Sequence, residues 1–232
     1  MARTLYEEDN ADFSNRAHMR ARDVLYPRIF NVRRERLQFE DTLLAQNGSD
    51  RAKILDGEMG VDRIVRVTIH NLHAPLMFTV QERFRRPEFA KYQDMTVTEW
   101  NHASNSPSEL YKINAGLFVY GYFDERSGRF PDAIVIGVTE MLLALAQGRL
   151  RYERRRNKKH QSFLAFRFED MEKAGIVRYW LAREREAAPK RGASSYKGMN
   201  LAPISPAMAE NEARFVPDVC AGGAVQQELK FA

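Results

Sequence analysis

The stretch that decides the fold, residues 56–85, reads DGEMGVDRIVRVTIHNLHAPLMFTVQERFR. Residues 61–67 are rich in β-branched side chains and follow a turn that ends at Gly60, so they predict a strand. Residues 77–84 alternate apolar and polar side chains, which is typical of a half-buried strand. The connection between the two segments is polar and ends at Pro75. We therefore expect two neighbouring strands joined like a hairpin.

Polar side chains on these two strands suggest chemistry. Side chains alternate along a strand, so Asp62 belongs to one face of the first strand, and Gln81 and Arg83 share one face of the second. An acid can then face an amide and a cation on its neighbour. Phosphodiester hydrolysis needs oxygen ligands for a divalent metal, with a cation beside them. Either segment alone is also typical of structural roles, as a turn cap or a charged edge strand.

The two strands resemble the core signature of the PD-(D/E)XK nuclease superfamily. That signature has an Asp in a Gly-hydrophobic-Asp context, here Gly60-Val61-Asp62, followed by acid-x-Lys on the next strand. Some branches use Gln-x-Lys followed by x-Arg, and residues 81–85, QERFR, resemble that version with Arg in the Lys position. The resemblance covers roughly residues 15–180.

The resemblance implies an α/β fold with a restriction-endonuclease-like core, in which helices flank a central mixed β-sheet. It implies Asp62 as the metal-binding carboxylate, with Gln81 and the backbone carbonyl of Glu82 as further ligands. Arg83 then stands in the position of the catalytic Lys. Glu40, an acid near the front of the chain, is a candidate to complete the metal site. The implied metal is Mg²⁺ or Mn²⁺.

Two departures from the signature bear on catalysis. Gln81 offers a neutral oxygen, which holds a metal less strongly than a carboxylate does. Arg83 stays protonated and cannot act as a base, although it can orient water or hold phosphate. The acid-x-Lys signature can also be aligned one residue later, so that Glu82 is the acid, but Phe84 then stands in the position of the cation. The Gln81 register is preferred, and Glu82 is kept as a second candidate for the catalytic and metal roles.

Basic residues cluster after the second strand and again between residues 149 and 160, in a chain of net charge +5. Such patches supply the sequence-independent phosphate contacts of nucleic-acid binding, so the expected partner is nucleic acid, and DNA in particular. The alternative is a solvated face of a mildly basic protein. The candidate nucleic-acid-binding residues are Arg85, Arg86, Arg154, Arg155, Arg156, Lys158 and Lys159.

Composition excludes several classes of protein. The chain has 232 residues, 44% of them apolar, which is enough to build a core of its own. A single cysteine, Cys220, excludes a disulfide framework and a multi-cysteine metal site. No apolar run approaches the roughly 20 residues of a membrane span, and the first residues do not read as a secretory signal. A cytoplasmic protein without membrane contact is expected.

The composition changes near residue 186. Residues 1–186 alternate strand and helix patterns and predict one α/β domain. Residues 187–232 are diluted by Pro, Gly and Ser without a sustained period, which predicts an extended tail or arm. The tail is a candidate surface for a protein partner or for self-association.

The sequence thus predicts a Mg²⁺-dependent deoxyribonuclease, endonucleolytic in type. Two rival interpretations stay open. The Gln and Arg of the second strand also fit a catalytically inactive nucleic-acid-binding module on the same fold. The long tail fits a structural or assembly protein of a phage or mobile element, docked on a partner.

Overall fold

The computed structural model describes residues 5–42, 49–70, 72–157 and 160–182. Over these residues the chain forms ten strands and six α-helical segments. The strands are β1 (Leu37–Asp41), β2 (Arg63–Val67), β3 (Leu76–Arg85), β4 (Asp94–Asn101), β5 (Ser106–Pro107), β6 (Leu117–Asp124), β7 (Arg129–Gly137), β8 (Glu153–Arg156), β9 (Gln161–Arg167) and β10 (Val177–Trp180). The helices are α1 (Leu5–Val24), α2 (Tyr26–Ile29), α3 (Asp50–Ala52), α4 (Glu109–Lys112), α5 (Val138–Ala146) and α6 (Phe168–Lys173).

Two sheets divide the strands. The first sheet has six strands in the order β1-β2-β3-β6-β7-β10; only β3 and β6 run parallel, and all other neighbours are antiparallel. The second sheet is antiparallel, in the order β5-β4-β9-β8. The predicted α/β class, with a mixed sheet flanked by helices, is confirmed.

The helix α1 packs against one face of the first sheet through a line of buried side chains. Phe13, Ala17, Ala21 and Leu25 recur every fourth residue, which places them one above the other on a helix, and all four are buried. The two alanines let the helix approach the sheet closely. The chain turns at Leu25, and Pro27 lies in the first turn of α2, where a proline is tolerated.

The other face of the first sheet packs against the second sheet, α5 and α6. Alternation along β6 divides its side chains between the two cores: Phe118 and Tyr120 belong to the core beneath the second sheet, whereas Val119 belongs to the core beneath α1. The aromatic series of this strand is therefore sheet core. The second sheet was not predicted, because it pairs β4 with β9, which lie far apart in the sequence.

The predicted pairing of the two motif strands is confirmed. β2 and β3 are antiparallel neighbours, with Arg63 opposite Val80. Just before β2, the backbone N–H of Asp62 donates to the carbonyl of Val80 at 2.9 Å, so the pairing extends to the motif acid. Asp62 and Gln81 therefore lie on adjacent segments in the interior of the first sheet.

Gly60 is required by the backbone of the loop that delivers Asp62. It has φ +57°, and a Cβ added there would lie 3.2 Å from the Cα of Ile113. Gly60→Ala is expected to lower the free energy of unfolding by about 1–2 kcal/mol, since a left-handed conformation and a tight backbone contact coincide. Chemical denaturation of Gly57→Ala provides the matched control, because a Cβ at Gly57 meets nothing within 4 Å. Equal losses in both variants would contradict this account.

Some predictions lie outside the described residues. Lys158, Lys159, the boundary at residue 186 and the tail over 187–232 are among them. Among the helices that the structure does describe, none is long and apolar enough to cross a membrane.

Candidate functional site

Side chains alternate along β3, so neighbouring residues of the motif lie on opposite sides of the first sheet. Gln81 and Arg83 both contact Glu109 of α4, on the side of the second sheet. Glu82 lies between them in sequence, and its side chain contacts His18 of α1 on the helix side. The structure therefore brings Gln81 and Arg83 together, as the strand pattern predicted, and separates both side chains from that of Glu82.

Asp62 is a buried carboxylate next to the middle of β3. Only 5% of the residue is exposed, and its Oδ2 accepts the backbone N–H of Glu82 at 2.7 Å. Burial raises the pKa of the Asp62 carboxyl from 3.8 to about 7, and the negative charges of Glu82 and Asp56 act in the same direction. The Glu82 N–H opposes this shift without cancelling it. The charge of His18 also opposes the shift, and Asp62 retains the raised pKa of about 7.

Gln81 presents an oxygen without a partner. Its Oε1 is buried and accepts no hydrogen bond, whereas its Nε2 faces Glu109 Oε1 at 3.5 Å. The oxygen lies beside the loop that carries Asp62, since a Cβ added at Gly60 would stand 3.4 Å from it. A buried carbonyl oxygen that accepts no hydrogen bond is rare in folded proteins.

Arg83 is held in place by two partners. Its Nη2 lies 2.5 Å from Glu109 Oε2, and its Nη1 donates to the backbone carbonyl of Thr96 at 3.0 Å. Glu109 also accepts the backbone N–H of Thr98 at 3.2 Å, so α4 and β4 are tied to this point of β3. Sequence reasoning missed Glu109, because its place in the site depends on a contact 28 residues away from Gln81.

Beyond Arg83, two arginines share one carboxylate. Asp94 of β4 lies 3.3 Å from Arg85 Nη1 and 3.0 Å from Arg155 Nη1, and its side chain is 3% exposed. Arg85 also stacks over the ring of Phe89 at 4.2 Å. Arg155 also pairs with Glu153 at 2.6 Å, and Glu153 lies 3.7 Å from Arg167, so three guanidinium groups meet two carboxylates and leave an excess of one positive charge. Arg86 carries no such excess, since Asp9 and Glu125 both pair with it.

Arg83 and Arg85 line a concave surface made of two cavities of about 360 and 800 Å³, both of which also include Thr96. We call this surface the β3 groove. The smaller cavity continues onto the second sheet, and the larger one continues under the start of α1. The further residues of the smaller cavity are Thr98, Asn157, Gln161 and Phe163.

On the helix side, Glu82 lies in a buried polar network. Its carboxylate contacts His18 Nδ1 at 2.5 Å and Arg63 Nη2 at 3.2 Å, and it accepts a hydrogen bond from Tyr26. Burial alone would raise the pKa of Glu82, but the charge of Arg63 and the bond from His18 outweigh it and lower the pKa. The Glu82 side chain is thus engaged with α1, and only its backbone is shared with the motif face.

The remaining predicted residues lie apart from this site. Glu40 of β1 pairs with Arg51 and Arg66, each at 2.9 Å, and no contact joins it to Asp62 or Gln81 among the described residues. Arg154 of β8 pairs with Glu99 at 2.7 Å, and Arg156 of the same strand is exposed.

The donor set at the motif fits a divalent cation only in part. No group of three or more His, Cys, Asp or Glu side chains that could hold a metal occurs within residues 5–42, 49–70, 72–157 and 160–182. Asp62 and the amide oxygen of Gln81 are nevertheless hard oxygen donors of the kind Mg²⁺ and Mn²⁺ take. A cation there would satisfy the unpartnered oxygen of Gln81 and stabilise the ionised form of Asp62.

The fold and this geometry define a mixed-sheet α/β protein with a buried carboxylate and amide beside an arginine-lined groove. Comparison of the chain with protein-family models, with curated proteins and with solved structures finds no match.

Proposed function

We propose that the protein binds nucleic acid along the β3 groove and hydrolyses its phosphodiester bonds with a divalent metal, the substrate being DNA and the metal Mg²⁺ or Mn²⁺. One observation carries the proposal: β2 and β3 pair so that the buried Asp62 carboxylate and the unpartnered Gln81 oxygen lie on adjacent segments beside the groove. This is the juxtaposition that the resemblance to the nuclease superfamily implies.

The energetic cost of burying the polar groups of Asp62 and Gln81 supports the proposal of a cation between them. A buried carboxylate with a pKa near 7 and a buried carbonyl oxygen without a donor are both unfavourable in the apolar interior. Asp62 and Gln81 would hold the metal through their oxygens. When bound, the metal supplies positive charge for the phosphate oxygens and lowers the pKa of a coordinated water.

Arg83 and the pair Arg85–Arg155 have separate tasks in this proposal. Arg83 stays protonated, so it donates to phosphate oxygens and does not remove a proton. Glu109 and Thr96 fix the guanidinium of Arg83, which limits the reorganisation needed when phosphate charge develops. Arg85 and Arg155, together with Arg167, carry one positive charge more than the carboxylates of Asp94 and Glu153, and this excess attracts the nucleic-acid backbone to the groove.

Cleavage of supercoiled plasmid and of single-stranded DNA in Mg²⁺, in Mn²⁺ and in EDTA tests the proposal. We expect nicked and linear products with either metal and intact DNA in EDTA. Intact DNA under all three conditions would contradict hydrolysis.

A second candidate function is nucleic-acid binding without cleavage. It is favoured by the arginine that stands in the position of the catalytic Lys, because a guanidinium cannot remove a proton from water, so Arg83 supplies no base. This candidate predicts that DNA binding in EDTA weakens steeply with added salt while no metal produces cleavage.

Gln81→Glu separates the two candidates further. Replacing the neutral oxygen by a carboxylate gives the site a second acid beside Asp62 and is expected to lower the metal concentration for half-maximal cleavage about tenfold. Gln38→Glu is the matched control, since Gln38 lies exposed on β1. A metal dependence unchanged by Gln81→Glu would remove Gln81 from the ligand set.

A further inference from the structure

A separate cavity of about 500 Å³ lies at the edge of the second sheet, outside the β3 groove. Its walls include Trp100 of β4, Tyr111 of α4, and Arg154 and Arg156 of β8. We call it the aromatic pocket. Its volume falls in the range of roughly 300–1,000 Å³ that is typical of sites for small molecules and for parts of larger ligands.

A bulge in β4 shapes the pocket. The pairing of β4 with β9 shifts between Thr98 and Trp100, so Glu99 is left without a cross-strand partner. Bulges redirect side chains and recur beside functional sites. Glu99 accepts two hydrogen bonds from Arg154, from Nε at 2.8 Å and from Nη2 at 2.7 Å, which holds that guanidinium as a fixed wall.

Two aromatic rings of the pocket are open to solvent. Tyr111 is 62% exposed, and Trp100 is partly exposed. Aromatic faces that stay accessible beside cations are the surfaces on which unpaired bases stack, in a way that tolerates any sequence. Arg156 is exposed and makes no ion pair within the described part of the chain, so its charge is available to a phosphate.

The strand β8 links the pocket to the β3 groove. Arg155 lines the pocket together with Arg154, and it pairs with Asp94, which also pairs with Arg85 of the groove. The helix α4 makes a second link, since Glu109 contacts Arg83 and Tyr111 follows two residues later. A nucleic-acid strand that lies in the groove can therefore cross β8 and place a base in the pocket.

We propose that the aromatic pocket binds an unpaired nucleobase, so that the ligand class is single-stranded nucleic acid or a single-stranded extension of a duplex. The inference rests on the proposed function, because it takes the backbone to lie in the β3 groove. The bases of an intact duplex are stacked on one another and offer no free face to Trp100 or Tyr111. Arg156 then contacts a phosphate next to the bound base.

Tryptophan fluorescence in EDTA tests the pocket directly. Trp100 and Trp180 are the tryptophans of the chain, and Trp180 is 7% exposed with its indole N–H bonded to Asp132. Oligodeoxythymidylate of about ten nucleotides is the probe, since single-strand sites span roughly 4–16 nucleotides. We expect quenching in wild type and its loss in Trp100→Phe. Tyr111→Ala is expected to weaken binding about tenfold, whereas Tyr92→Ala, at an exposed tyrosine outside the pocket, leaves it unchanged.

An abasic oligomer of the same length and a blunt duplex complete the experiment. Both are expected to bind without quenching Trp100. Equal quenching by the abasic oligomer, or equal affinity for thymidylate in wild type and Tyr111→Ala, would overturn the pocket and leave the proposed function standing. Failure of wild type to bind any of the three ligands would overturn both.

Discussion

Asp62→Asn is expected to lower the rate of the proposed metal-dependent DNA cleavage by about a hundredfold or more, because the proposed metal site, which would supply several kcal/mol of transition-state stabilisation, would lose its only buried carboxylate ligand among the described residues. Asn is the sharpest replacement. Its oxygen can still accept the N–H of Glu82 that Asp62 accepts at 2.7 Å, so the local strand pairing is preserved. Plasmid cleavage under Mg²⁺, measured alongside Asp12→Asn at an exposed position of α1, checks the result. A wild-type rate in Asp62→Asn would remove Asp62 from the chemistry.

The same variant makes a prediction for stability. The pKa of Asp62 is raised from 3.8 to about 7, so the folded protein holds this proton more tightly than the unfolded chain does. The stability that the carboxyl contributes is complete below about pH 4 and is lost as the pH rises through 7. Asn has no proton to lose. Relative to wild type, the free energy of unfolding of the variant is therefore expected to rise by roughly 2 kcal/mol between pH 5 and pH 7, as measured by urea denaturation in EDTA. A difference independent of pH would contradict the burial argument.

Arg63→Met is expected to lower the free energy of unfolding by about 3–5 kcal/mol, because it leaves the carboxylate of Glu82 buried without its strongest cation. Both side chains are fully buried, with Arg63 Nη2 at 3.2 Å from Glu82 Oε2. Arg66→Met on the same strand is the matched control. Arg66 pairs with Glu40, and both side chains are about one-third exposed. The control is therefore expected to lower the free energy of unfolding by less than ~1 kcal/mol. Chemical denaturation of the two variants gives the comparison.

A double variant tests whether the loss belongs to the pair. Arg63 Nη2 lies 3.3 Å from Asp41 Oδ1 and 3.2 Å from Glu82 Oε2, but none of the Arg63 nitrogens makes a well-directed hydrogen bond. The pair is therefore poorly compensated for its burial. Arg63→Met combined with Glu82→Gln is expected to recover much of the single-variant loss. Additive losses would contradict a direct interaction.

The local sequence pattern predicted those parts of the fold and of the site that depend on residues close together in the sequence. The β-branched run before Val67 and the alternation along β3 predicted two paired strands, and Arg63 opposite Val80 confirms the pairing. Alternation also predicted that Gln81 and Arg83 share a face, which their common contact with Glu109 confirms. Side-chain period along a strand is fixed by the backbone, so such inferences need no knowledge of distant residues.

Contacts between distant residues could not be predicted from pattern. His18 reaches Glu82 across 64 residues, and nothing in the sequence around either residue points to the other. The same holds for Arg155 and Asp94, which are 61 residues apart. Nothing in the sequence of β9 indicates that this strand joins a second sheet with β4. Pairing between strands is set by packing of the whole domain, which single-sequence patterns do not contain.

Metal binding by the wild-type protein and by Asp62→Asn tests the central claim most directly. Titration calorimetry with Mn²⁺ at about pH 7.5, where the ionised form of Asp62 is accessible, measures it without reference to any substrate. We expect one Mn²⁺ per chain in wild type, with affinity reduced at lower pH as Asp62 takes up its proton, and loss of that binding in Asp62→Asn. Equal binding of Mn²⁺ by both proteins would contradict the account.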